Sequence, residues 1–192
     1  PHEHATWHSS YHRTMTQVAS TSSVIGDFDD VQIADGQQYC RLTKEGDNFL
    51  VELNVPPEGG PPRQARNKTF PIVMVTRSHH MQVYWFAPSD QSSYLAMMPY
   101  IYLDQEDCWI PRTAAFLHPP KPIQGFEFGR WNEVCIRCHT THGKMGLDRF
   151  HEEKGPYVYD FFDVKSNVAE FGIACEACHG PGQQHVQANQ DP

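Results

Sequence analysis

Two short strings constrain this chain more than anything else in it: Cys135-Ile-Arg-Cys138-His139 and Cys175-Glu-Ala-Cys178-His179. Cysteines three positions apart lie on one side of a helical turn, and the next residue can present its imidazole to the same side. Sulfurs so placed can bond the two vinyl-derived carbons of one porphyrin edge while the histidine takes the iron, so each string matches the attachment motif of c-type haem. Cys135, Cys138, Cys175 and Cys178 are therefore the expected attachment points of two covalent haems, and His139 and His179 their proximal ligands. A zinc site built from the two pairs, or a redox-active dithiol, would also use a C-x-x-C spacing. Neither needs a histidine directly after each pair, and the 36 residues between Cys138 and Cys175 make a longer loop than zinc sites usually close.

The motifs sit in the last part of a 192-residue chain, a length that suits one compact domain or two small ones. Three regions are expected. Residues 1–23 read as a His-rich helical segment, because 4–19 contain no Gly or Pro and place His4, His8 and His12 at i, i+4 spacing. Residues 24–117 read as a β-rich domain of short apolar and aromatic runs broken by turns. Within it, 41–53 forms a hairpin around Lys44-Glu45-Gly46-Asp47, and 70–75 and 81–86 are two strands separated by a turn holding His79 and His80. Between them Pro56-Pro57-Glu58-Gly59-Gly60-Pro61-Pro62 is a loop, since its prolines lack ladder donors. A junction at His118-Pro119-Pro120-Lys121-Pro122 opens residues 118–192, the dihaem cytochrome c region. The expected class is α+β: a β-rich domain packed against a haem-organised, mainly helical and irregular C-terminal region. Porphyrin faces would supply the apolar core that so short a C-terminal stretch lacks.

Composition removes several alternatives. Asp and Glu number 23 against 15 Lys and Arg, a net charge of -8 that opposes a phosphate-binding surface and so argues against a nucleic-acid partner. Unbroken apolar runs such as Ile72 to Val75 reach at most five residues, far short of a membrane span, and the mean hydropathy is -0.58. No nucleophile motif, phosphate loop or pair of carboxylates at acid/base spacing appears. Cys40 and Cys108 fall in the β-rich region, where they read either as a disulfide, since covalent haem attachment takes place on the exported side of a membrane where leftover thiols oxidise, or as two separate buried thiols; the disulfide is the expectation put to test. The same reasoning places the protein outside the cytoplasm, in a periplasmic or extracellular compartment.

The 12 histidines exceed what two proximal sites use. His185, His12, one of the His79/His80 pair, with His80 the choice, and His142 are the candidate distal ligands; each could equally be a surface histidine. Methionine is the rival, with Met145 near a motif and the others read as core residues. Two irons need only two distal ligands, so the surplus points to a further haem, contributed by an upstream segment or a neighbouring subunit.

At this point a resemblance can be drawn. The string from Gly172 to Gly182 with His185, the Trp131-Asn132-Glu133 lead-in to Cys135, and Trp7-x-x-Ser10-x-His12 resemble a family of bacterial multihaem c-type cytochromes. The specific part of the match covers about residues 131–185. The resemblance implies that His12 and His185 act as distal ligands, and that a first C-x-x-C-H motif would stand just before Pro1. The expected function is electron transfer between redox protein partners or neighbouring cytochrome subunits through bis-His haems. Six-coordinate iron cannot bind substrate without losing a ligand, so the protein reads as a carrier and not an enzyme. The competing expectations are a multihaem oxidoreductase with an open haem site acting on a small nitrogen compound, and a homo-oligomer or extracellular haem filament whose histidines ligate across subunits.

Overall fold

The computed structural model describes residues 2–34, 39–55, 65–88, 93–115, 131–154 and 157–189, and between 147 and 163 it describes the backbone alone. The Pro56–Pro62 loop and the 118–122 junction lie outside the described residues. The chain opens with α1 (His2–His8) and α2 (Tyr11–Thr14), then β1 (Thr16–Val18), β2 (Val31–Ala34), β3 (Tyr39–Glu45), β4 (Asn48–Val55), β5 (Arg66–Arg77), β6 (Met81–Phe86), β7 (Ala96–Met97), β8 (Tyr100–Leu103) and β9 (Cys108–Pro111). After α3 (Arg112–Ala115) come a π-helical turn (Trp131–Cys135), α4 (Ile136–His139), β10 (Thr140–Thr141), β11 (Leu147–Lys154), β12 (Tyr157–Val164), β13 (Glu170–Phe171), α5 (Glu176–His179) and α6 (Gln183–Ala188).

The main sheet is antiparallel and curled, in the order β2-β3-β4-β5-β6-β8-β9, with β1 added along β5 and β7 along β6. The hairpin expected at 41–53 is β3–β4, closed where Glu45 faces Asn48 across a Gly46 with φ +61°. Alternation along β6 builds two cores from one strand. Tyr84 and Phe86 enter a cluster with Phe28, Leu42, Val51, Leu53 and Tyr100, while Val83 and Trp85 face the opposite side with Met74, Met97 and Ile101. An irregularity between Ile72 and Met74 resets the alternation of β5, so Ile72 and Val75 share the first core although they are three apart.

Three expectations are corrected. The C-terminal region is not mainly helical: its described part carries four strands, and its helices run only four to six residues. β11 and β12 pair over eight positions, from Leu147↔Val164 to Lys154↔Tyr157. The Tyr-Val-Tyr-Asp-Phe-Phe-Asp-Val run of β12 is dense in β-formers, and that local preference outweighs the helical bias of the motifs on either side. The helix expected over 4–19 is broken at Ser9–Ser10. Ser10 caps α2, its hydroxyl accepting from Arg13 N at 3.4 Å and donating to the Trp7 carbonyl at 2.6 Å. After Thr14 the chain leaves the helix, and β1 pairs with β5 from Thr16↔Thr76 to Val18↔Met74.

Cys40 and Cys108, the expected disulfide, are both free thiols. β3 and β9 are separated in the sheet by β4, β5, β6 and β8. Cys40 is fully buried opposite Leu53, whereas Cys108 is half-buried opposite Leu103. The curl is filled by Phe28, whose ring meets Phe49 of β4 at 5.2 Å and Trp109 of β9 at 5.7 Å. Burial pushes the Cys40 thiol up to about 12, so it behaves as a small hydrophobe.

Candidate haem sites

The first motif is keyed into the second of the two cores. Trp131 is 3% exposed and packs its indole on Trp85 at 5.6 Å, and Trp85 in turn donates to the Thr76 hydroxyl at 3.0 Å. Asn132, also buried, has its amide satisfied: Oδ1 accepts from Leu95 N, and Nδ2 donates to the Ser93 carbonyl and the Ser166 hydroxyl. From this anchor the π-helical turn delivers Cys135, half-buried against the core, and α4 delivers Cys138, exposed, and His139, half-buried. Trp131 presents itself edge-on to the His139 ring, centroids 6.4 Å apart. His139 Nδ1 is shielded from solvent without a hydrogen-bond partner, and burial holds the imidazole below its ordinary pKa of 6.5. A neutral imidazole is the form that ligates a metal.

The second motif is presented differently. Cys175, Cys178 and His179 are all exposed, and α5 buries none of its residues. Gly180, at φ +75°, ends the helix by donating to the Glu176 carbonyl, and Pro181-Gly182 turn the chain into α6, where His185 is exposed. What fixes this motif lies before it. Val168 and Phe171 pack against the same core that holds Trp131, and β13 pairs with β10, directly after His139.

The two motifs are therefore stitched together. Gly172 N donates to the His139 carbonyl at 3.1 Å. The buried Thr141 hydroxyl donates to the Gly172 carbonyl at 3.0 Å and accepts from Ala174 N at 2.7 Å. The N-terminal segment joins the same seam: Ile173 N donates to the His12 carbonyl, Trp7 Nε1 to the Ile173 carbonyl, and Arg13 to the Phe171 carbonyl and the Glu170 carboxylate. Gly172, at φ +73°, lets the strands approach, because a Cβ there would collide with the Arg13 carbonyl.

The candidate distal ligands divide accordingly. His12 stands exposed at this seam, its ring stacked on Trp7 at 5.5 Å. His79 meets the Tyr11 ring of α2 at 3.8 Å, and His80, exposed beside it on the β5–β6 turn, is 6.3 Å from His79. His142 is exposed with φ +51°, in the tight turn that follows β10. Backbone links tie His12 to the lead-in of the second motif, whereas the described hydrogen bond of His185 is local, its carbonyl accepting from Asn189. Among the described residues no three His, Cys, Asp or Glu side chains gather to hold a bare metal ion. Sequence reasoning did not find Thr141 or the role of Gly172 as the seam; a glycine three residues before a motif was the only visible signal.

No family model matches the chain, and neither the curated proteins nor the solved structures show a significant match. Among the described residues no helix is long and apolar enough to cross a membrane.

Proposed function

We propose that the protein is an exported electron-transfer cytochrome that holds two haems covalently, one at Cys135, Cys138 and His139 and one at Cys175, Cys178 and His179. The observation that carries this reading is that both attachment motifs are complete and that a single seam joins them, Gly172 N bonded to the His139 carbonyl. The residues present suit the group. Each motif supplies two free thiols and an imidazole, and His139 is favoured in its neutral form. Among the described residues the exposed large hydrophobics include Val134, beside Cys135, and Val186, beside His185, apolar surface that a porphyrin face would cover. When bound, haem iron supplies one-electron chemistry between its ferric and ferrous states.

The chain's own residues have three tasks in this function. The cysteines hold the ring edges, the motif histidines fill the proximal positions, and His12, His80, His142 and His185 are the candidates for the distal ones. The Trp131 and Thr141 contacts tie the segments that carry the two motifs to one another, which suits a carrier because held ligands need little rearrangement when charge changes. Partners on this reading are redox proteins or further cytochrome subunits, met outside the cytoplasm.

The test is an intact mass and a ferrous absorption spectrum of the native protein. A mass exceeding the polypeptide by two haems, retained through acid denaturation and organic extraction, with low-spin bands, is the expected result. Colour that leaves with the solvent, or a mass equal to the bare polypeptide, overturns the reading; a dominant high-spin signal would move it to the catalytic alternative.

A further inference from the structure

The inference here rests on the two-haem reading above. The motifs differ in three respects, and all three act in the same direction on the iron each would hold. The first is burial. His139 is half-buried beside Trp131 and the fully buried Ile136, whereas every residue from Cys175 to His179 is exposed. A ferric haem carries one more positive charge than a ferrous one, and water-poor, apolar surroundings disfavour that extra charge. The second is hydrogen bonding. An iron-bound imidazole becomes a stronger donor when its other nitrogen hydrogen-bonds to an acceptor; the shielded His139 Nδ1 has none, whereas the exposed His179 ring is open to water. A weaker donor stabilises the ferric state less. The third is charge. Arg137 stands between the cysteines of the first motif and Glu176 between those of the second, both exposed. A cation beside the ring favours the reduced state and an anion the oxidised one, an effect that salt screens.

We infer that the haem held by Cys135, Cys138 and His139 has the higher reduction potential of the pair, so that the exposed second motif is the entry point and the first motif the acceptor. With haem held at both motifs, one electron would pass from the group ligated by His179, which would go from ferrous to ferric, to the group ligated by His139, which would go from ferric to ferrous, with no bond made and no proton transferred. The seam offers a short covalent and hydrogen-bonded route, from Cys175 back three residues to Gly172 and across to the His139 carbonyl.

The experiment is a potentiometric titration of the purified holoprotein at low ionic strength, followed by visible absorption. Two one-electron steps should appear, separated by at least tenfold in equilibrium constant, about 59 mV for a one-electron couple. Surface variants assign them. Glu176→Lys should raise the lower step and leave the upper one in place; Arg137→Glu should lower the upper step and leave the lower one. Coincident steps, Glu176→Lys moving the upper step, or variants that do not act selectively would overturn the inference while leaving two covalent haems standing. A protein without covalent haem would overturn both.

Discussion

The β-rich half and the motif-bearing half reach order by different means. Strands β3 to β8 fill a core with their own side chains, and Leu42, Val51, Tyr84, Phe86 and Met98 are almost wholly withdrawn from solvent. Among the residues whose side chains are described, the motif half buries Trp131, Ile136, Val164 and Ala174, and the helix of its second motif buries none. Its described motif residues lean on that core: Trp131 and Phe171 reach into the cluster on the far face of β5 and β6, and buried hydrogen bonds at Thr141 and Asn132 join them. A motif whose own residues are exposed can still be positioned by a neighbouring core, and its free surface then remains available for a cofactor.

The largest effect should come from damaging the self-supporting half. Phe86→Ala removes a ring that is 1% exposed, and should cost about 3–5 kcal/mol in urea unfolding. A loss below about 1 kcal/mol would show that this core does not carry the sheet.

Gly172→Ala should sharpen the contrast, because it strikes the seam and spares the sheet. A side chain at φ +73°, aimed at the Arg13 carbonyl, should cost on the order of 1–3 kcal/mol. Hydrogen exchange should quicken at the Gly172 and Ile173 amides and stay unchanged across β5 and β6. Uniform quickening would mean that the two halves unfold as one unit.

Thr141→Val keeps the shape and removes the hydroxyl that serves both the Gly172 carbonyl and Ala174 N. The expected loss is about 1–2 kcal/mol, again confined to the seam. Thr141→Ser should restore most of it, and a valine variant as stable as the native protein would refute the role.

The smallest effect belongs to Cys40. Its thiol is held at about 12 in the fold, above its ordinary value of 9.0, so the native state binds the proton more tightly than the unfolded chain does. The stability this contributes is fully present below pH 9 and is lost as pH rises from there toward 12. The difference between native protein and Cys40→Ala should therefore narrow above pH 9, with the urea midpoint as readout. At pH 8 a thiol reagent should label Cys108 well before Cys40, and equal rates would place Cys40 outside the core.

Short-range chemistry was legible in the residues themselves. The two C-x-x-C-H strings, the turn at Gly46-Asp47 and the β-branched and aromatic runs of β5 and β6 each depend on neighbours within a few positions, so spacing and turn preference suffice to read them. Three matters were decided only in three dimensions. The histidine stripe at 4, 8 and 12 satisfies helical spacing, yet Ser10 capping and the demand of β5 for a partner end the helix before it can form as one piece. Cys40 and Cys108 share a region of sequence, but the strand order sets them on separate parts of the sheet. The seam that gathers Trp7, His12, Arg13, His139, Thr141 and Gly172 joins residues from positions 7 to 174 through backbone groups, met by the Trp7 indole, the Arg13 guanidinium and the Thr141 hydroxyl. Backbone donors and acceptors are common to nearly every residue, so the sequence carries no mark of which pairs will meet; only the packing of Trp131 and Phe171 into a shared core brings them within reach.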